Sequence, residues 1–558
     1  MFMKKTIYRI LPLALLMGIV YTGCKKYENP PPVFEEFKAN VNTQRKVLII
    51  SIDGLTGSEL KTIAPTNIET LRKTSKYSYD VLRGSVANDA ASWATMITGV
   101  SYSKHLIKEN SFQPTPKENS HEVPAVFRNS FDYVLQYKSV KTAMVTPWTE
   151  LRNYVKVADF APVVSTDVAV KDSAVNIINT SASLGTMIVN FRDVQAAGAN
   201  GGYIATNATY KNAVTKADEY VGNLVTALKA RKNYATENWL IIVTTNHGGS
   251  NADPKPGFLI ASNPDLKEEE VKKRGYNTIL FTGKSVLASV PADNGIYDAG
   301  DNNNFTVQMQ IKMLTASPGY SGFLSKGNGY GSAAPGGVNG WTMGTWAKSW
   351  RPYYNGGFLA NDAYTLADGL WHTITMTMNR VNATTRTLTI YNDGVPLSTT
   401  VNMNGKPMTS SQPLTIGFRG IDANGAVDFY AANVAYFNTV LDAATIKNNI
   451  ALKDITKHPN YANLTGFWPI DEGGEGVLNN MAPNGYSMLL SGPYTWKGIG
   501  NDVPPGAIAD PNSSGKSIII TPAAVSATML YWMNVKILPE FGIDGNPFLN
   551  QFEIEFLK

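Results

Sequence analysis

The sequence is poor in cysteine, in charge and in long apolar runs. Its 558 residues include one cysteine, Cys24, and 17% charged residues, and the formal net charge is only +5. A single cysteine excludes a disulfide framework. No basic patch with interleaved aromatic residues is present, so nucleic-acid binding has little support. The apolar run at residues 10–20 is too short to cross a bilayer, which takes about 20 residues.

The N-terminus has the pattern of a targeting segment. Lys4 and Lys5 precede the apolar run, and the run is followed by the residues YTGC (21–24), which end at Cys24. This resembles a bacterial lipobox, whose cysteine is acylated; an ordinary cleaved signal with a chance cysteine is the alternative. A lipid on Cys24 would attach the protein to a membrane without a span. We expect a signal peptide at residues 1–23 and a lipidated, proline-rich tether at 24–44.

At 558 residues the chain is too long for one hydrophobic core, so it is predicted to be multidomain. Residues 45–285 form an α/β zone. Apolar, β-branched runs such as VLIISID (47–53) alternate with helical patterns such as 210–231. This favours a mainly parallel sheet with helices on both faces.

The remaining chain is predicted to be rich in β structure. Residues 286–455 contain runs such as 370–380 that alternate apolar and polar side chains, and NDG at 392–394 is a hairpin signal. Such alternation is typical of half-buried antiparallel strands, so we expect an all-β sandwich of the jelly-roll type. Residues 456–558 are predicted to be mostly β as well, as a separate C-terminal module.

Four motifs of the α/β zone carry a family resemblance. In chain order they are VLIISIDGL (47–55), NDAASWATMITGV (88–100), NFRDVQAAGANGGY (190–203) and TTNHGGS (244–250). Together they resemble the alkaline phosphatase superfamily, which includes nucleotide pyrophosphatases, phosphodiesterases and sulfatases. The resemblance implies two zinc ions held by aspartates and histidines, with a serine or threonine as nucleophile.

This chain lacks the residues that such a centre requires. It has five histidines, and among these only His247 stands at a ligand position of the resembling family. Gln195 and Asn200 stand where an aspartate and a histidine would hold the first metal. Asn246 replaces the aspartate beside His247, and Asp89 replaces the nucleophile. We therefore predict no catalytic residue and the loss of phosphatase chemistry.

The residues at these positions are compatible with a single metal site. The positions that match the second metal of the family are Asp53, Asp89, Asn246 and His247. Two carboxylates, an amide oxygen and an imidazole suffice for one divalent cation, whether zinc, magnesium or calcium. The alternative is a metal-free, hydrogen-bonded cleft.

The β zone resembles laminin-G-like and concanavalin-A-like sandwiches, which often bind glycans, sometimes through calcium. Trp371 and His372 are interpreted as packing residues rather than ligands. Aromatic residues in 329–357 either stack on sugar rings or belong to a folded loop. The motifs that carry the resemblance are DGLWHTITMTMNR (368–380), LTIYNDGVPL (388–397) and DFYAANVAYFNTVLDAATIKNNI (428–450).

These features favour a lipid-anchored cell-envelope protein that binds a glycan or a peptide without catalysis. The C-terminal zone, with LYWMNVKILPEFGIDG at 530–545, resembles a module of phosphatase-like lipoproteins in Bacteroidetes-type bacteria. That resemblance implies an accessory of outer-membrane nutrient uptake beside a transporter or other lipoproteins. The alternatives are a metal-dependent phosphodiesterase, phosphatase or sulfatase with a rearranged site, and a scaffold for partner lipoproteins. We expect surface exposure, although the lysines after Cys24 leave the periplasmic face open.

Overall fold

The structure is a computed structural model. It describes residues 44–549 except 85, 117–122, 274, 284, 299, 328–339, 356, 418–426 and 510–518. The predicted signal peptide, Cys24 and nearly all of the tether therefore lie outside the described residues, as does part of the aromatic segment 329–357. In the described ranges, no helix has the length and apolarity that a membrane crossing requires.

The helices lie mainly in the α/β part of the chain. One of them, at 89–98, begins where the side chain of Asn88 caps Ala91 N and ends at Gly99, whose φ of 72° suits glycine. The helices are α1 (Gly57–Ile63), α2 (Thr66–Arg72), α3 (Asp89–Thr98), α4 (Tyr102–His105), α5 (Ser130–Tyr137), α6 (Thr149–Tyr154), α7 (Asp167–Thr180), α8 (Asp193–Ala199), α9 (Ala208–Lys229), α10 (Ala443–Asn449) and α11 (Ala523–Trp532).

A sheet of seven strands in the order β3-β4-β1-β5-β8-β2-β9 forms the centre of the α/β domain. Its strands β3, β4, β1 and β5 are parallel, while β8 is antiparallel to β5 and β2. The strands of this part are β1 (Gln44–Ile52), β2 (Ser75–Val81), β3 (Lys141–Val145), β4 (Leu184–Phe191), β5 (Glu237–Thr244), β6 (Gly248–Gly249), β7 (Pro254–Lys255), β8 (Gly257–Ser262) and β9 (Glu269–Glu270). The short β6 and β7 pair with each other.

Two further sheets enclose a second hydrophobic core, which includes Met309, Phe323, Trp350 and Met376. One sheet has the order β19-β18-β17-β12-β22-β10-β26, with β20 beside β18 and β23 beside β22, and the other has the order β16-β15-β14-β13-β21-β11-β25-β24. Their strands are β10 (Asn277–Phe281), β11 (Leu287–Ser289), β12 (Phe305–Met313), β13 (Ser321–Gly327), β14 (Gly340–Trp346), β15 (Ser349–Tyr354), β16 (Gly357–Phe358), β17 (Trp371–Asn382), β18 (Thr385–Asn392), β19 (Val395–Pro396), β20 (Val401–Asn402), β21 (Thr415–Ile416), β22 (Phe429–Phe437), β23 (Leu464–Trp468), β24 (Val477–Leu478), β25 (Met488–Ser491) and β26 (Trp496–Gly498).

The chain after residue 455 is divided between the two domains. Its strands complete the sandwich, since β23 pairs with β22 and β25 pairs with β11. The expectation of β structure is wrong for residues 523–532, which form the buried helix α11. A continuous apolar run does not distinguish a buried helix from a buried strand, which is why periodicity failed here. α11 packs in the α/β core, where Met529 and Leu530 join Trp93 of α3.

Candidate functional site

The candidate site lies where the parallel strands end. Asp53 directly follows β1 and Arg192 directly follows β4, while Asn246 and His247 come just after β5. The carboxyl ends of neighbouring parallel strands share one edge of the sheet, where α/β proteins bind their ligands. Asp89, the first residue of α3, completes the cluster from the side.

Asp89 is the most heavily hydrogen-bonded group of the cluster. Its Oδ1 accepts hydrogen bonds from Gln195 Nε2 at 2.8 Å, Asn246 Nδ2 at 3.0 Å and His247 Nε2 at 3.0 Å. Its Oδ2 accepts one from Arg192 Nη2 at 2.6 Å. Burial alone would raise the pKa of Asp89, but the bonds from His247 and the charge of Arg192 outweigh it and lower that pKa. Asp89 is therefore a stable carboxylate.

His247 is held as an imidazolium. Its Nδ1 lies 3.0 Å from the carbonyl oxygen of Gly248, and its Nε2 lies 3.0 Å from both Asp89 Oδ1 and Asn251 Oδ1. All three partners are acceptors, so both ring nitrogens carry protons. Burial opposes this charge, but the bond to Asp89 prevails and raises the pKa of His247.

Asp53 is fully buried, with an exposed side-chain fraction of 0%. Ser51 Oγ donates to its Oδ1 at 2.8 Å, and Trp93 Nε1 donates to its Oδ2 at 3.0 Å. Burial raises the pKa of Asp53, although the nearby charge of Arg192 opposes that rise. Both oxygens of Asp53 therefore already have protein donors.

Arg192 connects the two carboxylates. Besides its bond to Asp89, its Nη1 lies 3.8 Å from Asp53 Oδ2. The guanidinium carbon lies 4.5 Å from the ring centroid of Trp148, a cation–π contact. Both oxygens of the Asp167 carboxylate accept the single backbone N–H of Arg192, Oδ1 at 3.0 Å and Oδ2 at 2.9 Å. Burial raises the pKa of Asp167 to about 6.

The structure brings most of the sequence-predicted residues together. Asp53, Asp89, Asn246 and His247 form one cluster, and Gln195 joins it through Asp89. Asn200 is different, because it lies exposed just after α8, where its carbonyl oxygen accepts a hydrogen bond from Asn207.

Sequence reasoning missed other members of the cluster. These are Trp93, Trp148, Arg192 and Asn251. A signal was available for Arg192. It is a charged residue directly after a fully buried strand, which is where site residues of α/β domains lie. No signal in the sequence pointed to the two tryptophans or to Asn251. A tryptophan among apolar residues is expected in the core, and an asparagine in a polar loop is expected on the surface.

The predicted ligands do not fit a divalent cation in this arrangement. Asn246 directs its amide nitrogen at Asp89, while its Oδ1 accepts the backbone N–H of His247 at 2.7 Å. His247 presents N–H groups instead of a lone pair, and Asp53 is already bonded. No group of three or more His, Cys, Asp or Glu side chains in the described part of the chain is placed to hold a metal ion.

In the sandwich, His372 is a structural residue. Its Nδ1 lies 2.9 Å from Asp393 Oδ2, and its Nε2 lies 3.1 Å from Asp368 Oδ1. The two carboxylates flank opposite sides of the ring, so they do not converge on one ion. Trp371 donates from Nε1 to the carbonyl oxygen of Asp502 at 3.0 Å. Both side chains are thus held by hydrogen bonds within the protein.

A second candidate surface is an aromatic platform formed by Tyr320, Trp346, Arg351 and Phe358. The rings of Tyr320 and Trp346 stack with centroids 4.7 Å apart. The guanidinium of Arg351 lies 4.5 Å from the ring of Phe358 and 5.4 Å from that of Trp346. Trp346 is 39% exposed and Phe358 is 46% exposed, so the platform presents two large rings to solvent.

Comparison with protein families assigns both domains. Residues 47–316 match the model of type I phosphodiesterases/nucleotide pyrophosphatases, and residues 287–447 match that of the concanavalin A-like lectin/glucanase superfamily. The chain thus carries an alkaline-phosphatase-like domain followed by a laminin G/concanavalin A-like domain. The resemblances of these two domains and the fold class predicted from the sequence are confirmed. A comparison with curated proteins finds no match.

Several solved structures are similar over part of the chain. A 2-O GAG sulfatase is 12% identical with a TM-score of 0.32, over 40% of this chain and 65% of that one. Murine ectonucleotide pyrophosphatase/phosphodiesterase 5 is 16% identical with a TM-score of 0.30, over 37% and 57%. A proposed carbohydrate-binding protein from Bacteroides ovatus is 11% identical with a TM-score of 0.31, over 44% and 74%. The chain spans less than two thirds of the length of the first two structures.

Proposed function

We propose that this protein binds glycans at the cell envelope and that its phosphodiesterase-like cleft performs no hydrolysis. The absence of hydrolysis is inferred from the hydrogen bonding of Asp89. At the position of the nucleophile stands a carboxylate whose two oxygens accept hydrogen bonds from four side chains.

Such a group is unsuited to attack a phosphate or sulfate ester. A nucleophile needs a free lone pair and an activating base or metal. Here both oxygens are engaged, and the imidazole that contacts Asp89, that of His247, serves as a donor to it and not as a base. The negative charge of Asp89 also repels an anionic ester that approaches it.

The test is a hydrolysis assay on the full chain with nitrophenyl phosphate, bis-nitrophenyl phosphate and nitrophenyl sulfate. Zinc, magnesium or calcium is added in separate runs, and Asp53→Ala and His247→Ala are assayed in parallel. We expect the wild-type rate to equal the rates of both variants and of buffer. Turnover that disappears in both variants would establish the enzyme alternative instead.

The glycan part of the proposal is supported by the aromatic platform and by the match to a lectin superfamily. Sugar rings present C–H groups that pack on aromatic rings, and Trp346 and Phe358 are partly exposed to solvent. The guanidinium of Arg351 lies between these two rings and holds their spacing.

Binding is measured on a glycan array and then by calorimetry with Trp346→Ala and Phe358→Ala. Tyr137→Ala is the matched control, because Tyr137 is 47% exposed on the α/β domain. We expect the platform variants to lose at least tenfold in affinity and the control to keep wild-type affinity. Binding to peptides with no glycan signal would contradict the proposal.

The same proposal includes a lipid on Cys24 and a role beside an outer-membrane transporter of nutrients. The YTGC sequence at residues 21–24 supports the lipid, and a binding protein without hydrolysis suits a capture role. Cys24→Ser should release the protein from membranes, which fractionation and labelling with a fatty-acid analogue measure. Protease treatment of intact cells tests surface exposure, and co-purification tests the transporter.

A further inference from the structure

We propose that the contact between the two domains is a pH-sensitive junction. The buried side chain of Glu472 has to be protonated for the loop 469–476 of the sandwich to pack against the α/β domain, and its ionisation at higher pH loosens that contact. This inference goes beyond the proposed function, since it concerns neither the cleft around Asp89 nor the aromatic platform.

The loop 469–476 lies at the boundary between the domains. It connects β23 to β24 in the sandwich. A Cβ added to Gly474 would lie 3.2 Å from Cγ2 of Ile519, which precedes α11, and 3.8 Å from Cδ1 of Leu82, which follows β2. A Cβ added to Gly84 would lie 3.6 Å from Oε2 of Glu475. The loop therefore contacts the α/β domain at two separate segments of the chain.

Glu472 is buried in this junction without the partners that a charge requires. It is 6% exposed, and its Oε1 accepts one hydrogen bond, from Asn479 N at 2.7 Å. Its Oε2 is buried and has no hydrogen-bond partner among the described residues. Burial of an ionised carboxylate with one donor is costly, whereas a neutral carboxyl loses much less. Burial, and after it the charge of Asp471, raises the pKa of Glu472 to about 7.

The cations near Glu472 do not compensate an ionised form. Lys273 is committed to Asp471, with Nζ at 2.6 Å from its Oδ2. Arg83 is also buried, and within the described part of the chain its guanidinium makes no hydrogen bond or ion pair. Burial lowers the pKa of Arg83 to about 10, against the charges of Asp253 and Glu472. Arg83 thus interacts with Glu472 through its charge and does not bond to it.

The other titratable groups that face the loop are Glu475 and two tyrosines. Burial, supported by the charge of Asp544, raises the pKa of Glu475 to about 7. Tyr276 donates to the carbonyl oxygen of Pro469 at 3.2 Å. Burial raises the pKa of Tyr276 and that of Tyr494, which is near Glu475. Both phenols therefore stay neutral near pH 7, where the two glutamates titrate.

The backbone of the loop is strained at both ends. Ile470 and Glu475 have φ angles of 58° and 59°, in the left-handed region. That region is rare for residues other than glycine and most of all for a β-branched residue. Such conformations persist only where the surroundings fix them. The loop will therefore relax when its contact with the α/β domain weakens.

The sign of the pH dependence follows from the raised pKa of Glu472. An exposed glutamate has a pKa of about 4.3, so the packed junction binds this proton more tightly than the opened one. The stabilisation is complete below pH 4.3 and is lost as the pH rises through about 7. For one such group, the equilibrium constant for opening should rise about tenfold between pH 6 and pH 8.5.

The experiment is hydrogen exchange of the full-length protein at pH 6 and pH 8.5, with each rate divided by the intrinsic rate at that pH. In the wild type, protection of peptides covering 79–84 and 469–480 should fall about tenfold or more, while peptides of β4 (Leu184–Phe191) keep theirs. Glu472→Gln, a neutral mimic of the protonated side chain, should lose most of this response. The double variant Glu472→Gln, Glu475→Gln should lose all of it.

Three further variants separate charge from packing. Glu219→Gln is the matched control, because Glu219 pairs with Lys216 on the surface, and it should keep the wild-type response. Asp471→Asn removes a negative charge beside Glu472 and should reduce the response. Arg83→Met removes a positive charge and should enlarge it. If Glu472 served packing alone, the last two variants would respond alike.

Four outcomes would overturn the inference. The first is equal protection of the wild-type junction at both pH values, and the second is a loss as large in β4 as in the junction. The third is a folded Glu472→Gln that keeps more than half of the wild-type response. The fourth is a Glu472→Gln that does not fold, because a neutral side chain of the same shape should be tolerated. None of these readouts uses hydrolysis or glycan binding, so failure here is separable from failure of the proposed function.

Discussion

Ser526 Oγ donates a hydrogen bond to the carbonyl oxygen of Met96 over 2.6 Å, although the two residues are 430 positions apart in the chain. The same hydroxyl lies 2.8 Å from the carbonyl oxygen of Ile97. Through these contacts α11 is attached to α3, the helix that begins with Asp89. The chain therefore leaves the α/β domain, forms the sandwich and returns to the α/β domain, where α11 packs against α3.

This arrangement predicts that the C-terminal helix stabilises the α/β domain. Leu530 of α11 is fully buried in the same core as Trp93. Leu530→Ala should lower the free energy of unfolding by about 2–5 kcal/mol, because it leaves a cavity. Ile508→Ala is the control, since Ile508 is 74% exposed, and it should change stability by less than about 0.5 kcal/mol. Urea unfolding measures both. Equal small effects would show that α11 is not part of this core.

A buried ionic network at the start of β5 predicts sensitivity to acid. Glu237 accepts hydrogen bonds from Lys46 Nζ at 2.7 Å and from Arg231 Nε at 2.7 Å. Burial alone would raise the pKa of Glu237, but the bonds from Arg231 and Lys46 lower it to about 2. Because the folded-state pKa lies below the unfolded value of about 4.3, the stabilisation is present above pH 4.3 and is lost as the pH falls towards 2.

Glu237→Gln leaves two buried cations without a carboxylate, so it should cost about 3–5 kcal/mol near neutral pH. The difference between this variant and the wild type should shrink as the pH falls from 5 towards 2, which denaturant titrations at several pH values measure. Glu219→Gln is the control, since Glu219 pairs with Lys216 on the surface. A constant difference across this pH range would contradict the assigned role of Glu237.

The sandwich should respond to pH in the opposite direction. The hydrogen bond to Asp393, opposed by partial burial and supported by Asp368, raises the pKa of His372. The stabilisation is complete below the unfolded histidine pKa of about 6.5 and is lost as the pH rises through the folded-state pKa. It also requires ionised aspartates, so it is largest in mildly acidic solution. His372→Gln should therefore lower Tm more at pH 6 than at pH 9, and an equal loss at both would contradict the charged state.

The regular elements of the α/β domain were predictable from the sequence. The apolar run at 47–53 corresponds to β1, and the helical pattern at 210–231 corresponds to α9, which Asn207 caps. Such elements can be recognised in a sequence because a buried parallel strand is continuously apolar and the first turn of a helix needs a capping side chain. The helix α11 (Ala523–Trp532) could not be recognised in this way. It is buried on nearly all sides, so its apolar residues do not recur at helical spacing.

The residues of the cleft were largely predictable, but its chemistry was not. Strand ends and motif order placed Asp53, Asp89 and His247 together, whereas hydrogen-bond direction depends on neighbours distant in the chain. Asn246 is a donor to Asp89 because the backbone N–H of His247 occupies its oxygen. Arg192 reaches the carboxylates because Trp148, just before α6, and Asp167, the first residue of α7, fix it. No local pattern in the sequence encodes these relations.

Restoring a hydroxyl at position 89 provides the strictest test of an inert cleft. In Asp89→Thr the new side chain has one oxygen, so it can accept from only part of the four donors that now surround the carboxylate. Donors left unsatisfied in a buried site cost about 1–3 kcal/mol each, so the variant should be less stable. It should also hydrolyse bis-nitrophenyl phosphate no faster than the wild type, with or without zinc, because Gln195 and Asn246 still present amides where ligands are needed. Asp89→Asn controls for the lost charge without adding a hydroxyl. A zinc-dependent rate in Asp89→Thr that is absent from Asp89→Asn would mean that only the nucleophile had been lost, and that the surrounding groups still form a working centre.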